Sequence, residues 1–170
     1  MIPVTPPAEP ASAPLLLSRR LGQAPAADQA APEGQAPLRL ALTAEERTRL
    51  RGLRHSTSGQ PLLLHLPRGE ALAPGELLAP EGGPERVRVE AAPESLLRVR
   101  AADGLALLQA AYHLGNRHVA MELHRQELRL LHDPVLAHLL EHRGLWIDTI
   151  EAPFHPEAGA YGGHGHTHGH

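Results

Sequence analysis

The sequence predicts an α+β fold in two modules, followed by a flexible histidine-rich tail. Three observations carry that expectation. Short runs of alternating apolar and polar residues, separated by Pro and Gly turns, fill the first half. In the second half, two segments with helical spacing, each opened by an Asp, interleave with further alternating runs. At the end, His164, His166, His168 and His170 alternate with small residues and carry no apolar periodicity.

The elements follow in order. Residues 1–13 are rich in Pro, Ala and Glu and are expected to be disordered. Leu15–Leu17, followed by Ser18-Arg19-Arg20, suits a first short strand, and 22–37 reads as a low-complexity loop. Leu38-Arg-Leu-Ala-Leu42 alternates as a strand does, and so does Arg49–His55. Ser56-Thr57-Ser58-Gly59 turns the chain into a strand at Leu62–Leu66, closed by Pro67-Arg68-Gly69. Ala73-Pro74-Gly75 and Glu81-Gly82-Gly83 are further turns, and Arg86–Glu90 alternates again. Residues 14–92 therefore read as a small all-β domain.

Pro93 marks a boundary, and residues 93–153 form the second domain. Leu97–Ala101 is a strand. Asp103 can cap a helix in which Leu105, Leu108 and Tyr112 share a face, with Leu107, Ala111 and Leu114 beside it. Gly115-Asn116 stops that helix. Val119–Leu123 and Glu127–Leu131 read as a strand pair around His124-Arg125-Gln126. Asp133 and Pro134 open a second helix as cap and first helical residue, with Val135, Leu136, Leu139 and Leu140 as its apolar stripe and Gly144 at its end. Leu145–Ile150 is the last strand. Strand-helix-strand-strand-helix-strand is the ferredoxin-like pattern. Residues 154–170 are expected to be a mobile tail.

Composition excludes several functions. The 170 residues are 42% hydrophobic but only 2% aromatic, so two modest aliphatic cores are expected rather than one large one. There is no Cys, which rules out disulfides and thiolate metal sites. Any metal must be held by imidazole, carboxylate, backbone or water. All the basic residues are Arg, and they form no stripe with interleaved aromatics, so no nucleic acid is expected as partner. No signal peptide and no membrane span is legible, which predicts a cytoplasmic protein. There is no HExxH, and the clustered histidines lie outside the regular elements, so an enzyme is not expected.

Several motifs point to one family. Tyr112-His-Leu-Gly-Asn-Arg-His118-Val119, then Leu131-His132-Asp133 with Val135-Leu136, then Pro153-Phe154 and Pro156-Glu-Ala-Gly-Ala-Tyr161 before a His-rich end, resemble the UreE family of urease accessory proteins. Leu64-His-Leu-Pro-Arg-Gly69 resembles a motif of that family's first domain more loosely. The resemblance covers residues 14–170 with the motifs in order. It implies a β-rich, peptide-binding-like first domain, a ferredoxin-like metal-binding second domain and a homodimer built through the latter. It also implies delivery of Ni(II), as cargo, to the urease activation complex, meaning the accessory GTPase and apo-urease.

The histidines divide accordingly. On spacing alone His118 reads as a helix-end His interacting with the dipole; the resemblance makes it the nickel ligand shared between two protomers. The tail histidines form a multidentate ligand that suits Ni(II), Zn(II) and Cu(II) alike, unless they are an appended tag. The repeat is not a homopolymer, and it directly follows the PEAGAY run. By the resemblance His132 belongs to a secondary metal site, but the position two further on, often His in the family, is Pro134 here. His155 stands where relatives often carry an acid and is a possible further ligand. His113 reads as a structural His. His138 and His142 lie four apart, a spacing that can chelate metal, but they flank an apolar stripe and read as a solvated face. The competing function is a general His-rich metal buffer or store without a delivery partner.

Overall fold

A computed structural model describes residues 13–23 and 36–158. The tail histidines His164, His166, His168 and His170 lie outside the described residues, as do positions 1–12 and 24–35. The chain divides into two compact units, Met1–Ala91 and Ala92–His170.

The first unit holds two sheets. One has the order β1-β5-β4, built from β1 (Leu15–Leu17), β4 (Arg51–His55) and β5 (Pro61–His65). Here β1 runs parallel to β5, with Leu17 beside Leu64, while β4 is antiparallel to it. The other sheet has the order β2-β6-β7-β3, from β2 (Arg19–Gln23), β3 (Leu38–Leu42), β6 (Glu76–Ala79) and β7 (Val87–Ala91). Alternation explains the core. Leu40 and Leu42, Leu62 and Leu64, and Val87 and Val89 point inward and meet Leu17, Leu66, Leu72 and Leu78.

Three features of this unit differ from the sequence expectation. It is not all-β: Thr43 opens a five-residue helix, α1 (Ala44–Thr48), through a capping box. The Thr43 Oγ1 accepts from the Glu46 amide at 3.2 Å, and a Glu46 carboxylate oxygen accepts from the Thr43 amide at 3.0 Å. The expected strand at 49–55 accordingly begins at Arg51. The expected loop from residue 22 begins later, because the chain continues through Gln23 as β2. Finally, β6 is a fully buried strand between the two expected turns. Its Glu76 is tolerated there because Arg20 grips the carboxylate and the Ala73 amide donates to it at 3.0 Å.

The second unit runs β8 (Pro93–Arg100), α2 (Gly104–Gly115), β9 (Glu122–Leu123), β10 (Leu128–Leu131), α3 (Pro134–Glu141) and β11 (Trp146–Pro153). Its sheet order is β11-β8-β10-β9, antiparallel at every pairing. Leu97, Val99, Leu128 and Leu130 from the sheet meet Leu107, Ala110 and Leu114 of α2 and Leu140 of α3. Among the described residues no helix is long and apolar enough to cross a membrane.

Several boundaries move. The unit's first strand begins at Pro93 instead of Leu97, and the strand expected at Val119–Leu123 is confined to Glu122–Leu123. The last strand extends to Pro153, in register with β8 from Trp146 opposite Arg100 to Pro153 opposite Pro93. The chain is then held beyond it: Phe154 is 1% exposed, and the Glu157 amide donates to the Met121 carbonyl at 2.8 Å. The expected tail therefore does not begin at 154, because residues 154–157 are tied to the second unit.

Candidate metal centre

The helix carrying the YHLGNRH motif is built from its ends inward. Asp103 caps α2, its Oδ1 accepting from the Ala106 amide at 2.9 Å. Leu107, Ala110 and Leu114 form the buried stripe. Of the apolar residues expected from the sequence, Leu107 and Leu114 are core, whereas Leu105, Leu108 and Tyr112 lie on the other face. These three are 66%, 69% and 69% exposed. Spaced by three and four residues, they make a continuous apolar stripe on the side of α2 away from its sheet.

The helix ends where Gly115-Asn116 suggests, with Gly115 its last residue and Asn116 its cap, and the turn after it closes the end. The Val119 amide donates to the Leu114 carbonyl at 3.1 Å, and the His118 amide to the Gly115 carbonyl at 2.9 Å. This is a Schellman closure with His118 in its left-handed position, at φ +56°. Among the described residues no other non-glycine has a positive φ. The same closure ends α3, where the Leu145 amide reaches Leu140 and the Gly144 amide reaches Glu141, with Gly144 at φ +79°. The two helix ends align as Leu114-Gly-Asn-Arg-His118-Val119 and Leu140-Glu-His-Arg-Gly144-Leu145. The α3 cap uses the residue that fits without strain, whereas the α2 cap carries an imidazole at a cost of about 1 kcal/mol. Strain of this kind persists where a side chain is needed in one place. His118 is exposed, and among the described residues its ring has no hydrogen-bond partner. Its neighbour Arg117 instead donates to the His113 carbonyl at 3.1 Å, helping to close the turn.

His132 follows β10 directly, and its amide extends the ladder to the Ser95 carbonyl at 2.9 Å. Its side chain is exposed. Asp133 is occupied as the cap of α3, accepting from the amides of Val135 and Leu136 at 2.8 and 3.0 Å, with Pro134 at the first helical position. No second imidazole or free carboxylate therefore stands beside His132 on that turn. His155 is exposed, and its backbone amide donates to Glu122 at 3.4 Å; the same carboxylate engages His124 Nε2 at 3.0 Å. Among the described residues no group of three or more His, Asp or Glu side chains could hold a metal. His118, His132 and His155 are not brought together into one site.

The left-handed position of His118 was missed in the sequence reading. Its signal is present there, in the alignment of the two helix ends, where a glycine answers the histidine.

Comparison with known proteins gives a consistent match. Residues 17–92 match the family model "UreE urease accessory protein, N-terminal domain", and residues 94–170 match its C-terminal domain. Among similar proteins, a urease accessory protein UreE of Parasynechococcus marenigrum is 58% identical over 137 residues, covering 81% of this chain and 91% of that one. Another, from Thermosynechococcus vestitus, is 51% identical over 132 residues, covering 78% of this chain and 92% of its own length. A third, from Azotobacter vinelandii, is 49% identical over 142 residues, covering 82% and 84%.

Proposed function

Because the chain belongs to the UreE family of urease accessory proteins, which are not enzymes, we propose that it is a nickel metallochaperone. As a homodimer it binds Ni(II) and delivers it to the accessory GTPase and apo-urease in the cytoplasm for metallocentre assembly.

One observation carries this reading: His118 is held, against its backbone preference, as an exposed imidazole at the end of a helix whose outer face is apolar. A single imidazole makes a weak site. In a two-fold assembly each patch meets its own copy, so covering the Leu105–Leu108–Tyr112 stripe allows two His118 rings to face one ion near the axis. The tail histidines His164, His166, His168 and His170 then complete and exchange the coordination sphere. His132 and His155 are auxiliary donors. Imidazole ligands accept Zn(II) and Cu(II) as readily, so nickel selectivity comes from the pathway. The strand order, fourth-first-third-second and antiparallel throughout, supports reading the second unit as ferredoxin-like.

The test is calorimetry of the full chain against His118→Ala. The expected outcome is loss of the tightest nickel site while the weaker tail sites remain. Full affinity in the variant would remove His118 from the site. Absence of nickel-dependent association with apo-urease or the GTPase would instead favour a metal buffer.

A further inference from the structure

We propose that His138 and His142 form a second divalent-metal site, a two-imidazole chelate on the exposed last turn of α3. It is separate from the His118 centre and does not depend on the delivery role.

The argument begins with spacing. Residues four apart on a helix place their Cβ atoms about 5–6 Å apart on one face. His138 lies in the last turn of α3 and His142 at its C-terminal cap, where its amide donates to the His138 carbonyl at 3.0 Å. The backbone of the pair is thus fixed by the helix itself. Both side chains are exposed, and the two rings contact each other.

The ring geometry is compatible with a chelate. The ring centroids are 5.2 Å apart and the planes meet at 85°. A metal bound at about 2.0–2.1 Å from an imidazole nitrogen lies about 3 Å from the ring centre, so two ligands at tetrahedral or square angles have centroids about 4.5–5 Å apart. The observed pair is already close to that separation, and rotation about the side-chain bonds brings one nitrogen of each ring to a common ion. Little further ordering is required.

The electrostatics agree. The pair sits at the negative end of the α3 dipole, where a cation is favoured. Glu141, exposed and three residues from His138, adds negative charge beside that face. Arg143 is the opposing charge, but it lies about 100° further round the helix from His142. Neutral imidazoles supply the lone pairs, and any proton held on a ring is released to solvent when metal binds. With two protein donors the remaining positions are water. The site therefore takes Cu(II), Ni(II) or Zn(II) in the usual affinity order, with copper tightest, and exchanges them readily.

The test uses the full-length protein and Zn(II), followed by NMR of the histidine rings through several equivalents. The rings of His138 and His142 are expected to shift together along one isotherm. His142→Gln should weaken the zinc response of His138 by about tenfold or more, since the second donor's local concentration is lost. His138→Gln should do the same to His142. Combining His142→Gln with Arg143→His keeps the number of imidazoles but moves one off the face, and should not restore the response. His118 should respond identically in all of these variants, so its own signals report the other centre separately. Two rings responding at different zinc concentrations, or a His138 response untouched by His142→Gln, would overturn the proposal.

Discussion

His118 pays a conformational cost that its counterpart Gly144 does not. Replacing it separates backbone from ligand. His118→Gly should raise stability by about 1 kcal/mol by relieving the left-handed strain, while abolishing the tightest nickel site. His118→Ala should lose the metal without the gain, because alanine suffers the same backbone penalty. Gly144→Ala should lower stability by about 1 kcal/mol at the matching position of α3. Urea unfolding of the three metal-free variants checks the series. Equal stabilities for His118→Gly and His118→Ala would mean that the cap is not strained in solution.

At the scale of elements, α2 shows why a leucine-rich helix is ambiguous on paper. Both its stripes are apolar, and only the one carrying Leu107, Ala110 and Leu114 meets the sheet. If the exposed stripe is the interface of the proposed homodimer, Leu108→Glu should leave each protomer folded but shift sedimentation from dimer towards monomer; an unchanged dimer would place the interface elsewhere. The β8–β11 pairing has its own electrostatic fastening. Asp148 stands opposite Arg98 in register, pairs with that guanidinium in two-pronged fashion and approaches Arg100 at 3.4 Å. The hydrogen bond from Arg98 holds the Asp148 carboxyl below its ordinary value; burial opposes this, and the charges of Arg98 and Arg100 reinforce it. A depressed carboxyl contributes stability that is complete above its unfolded value, near 3.9, and is lost as pH falls through the lower folded value. Asp148→Asn should thus lower the unfolding midpoint above about pH 4, where the pairing is complete, and flatten its fall in more acidic solution, where the two proteins converge. Parallel acid limbs for the two proteins would discount the pairing. Because both partners are partly exposed, the contribution is that of a screened surface pair.

For the whole molecule, the second unit is closed by the segment that follows its last strand. Phe154, the chain's one phenylalanine, is almost wholly buried, so Phe154→Ala should destabilise that unit by about 3–5 kcal/mol. Trp146, the single tryptophan, lies in β11 and reports on this unit alone in a denaturant titration followed by fluorescence. An unchanged midpoint would mean that residues 154–157 are not part of the folded unit.

The sequence by itself determined what depends on local pattern. Two-residue alternation placed most strands, Asp103 and Asp133 marked both long helices, and the ordered motifs identified the family. Short-range signals too brief to outweigh their surroundings were passed over, as with Thr43 and Glu46 around α1. Only the tertiary structure decided which stripe of α2 is core, that β6 is buried with its Glu76 gripped by Arg20, and that Phe154 closes the second unit. It also decided that His118 occupies a left-handed cap and that His138 and His142 bring their rings together. The physical reason is that burial and side-chain approach are relations between distant residues. A leucine on either face of α2 has the same local propensity, and only the sheet packed against one of those faces distinguishes them.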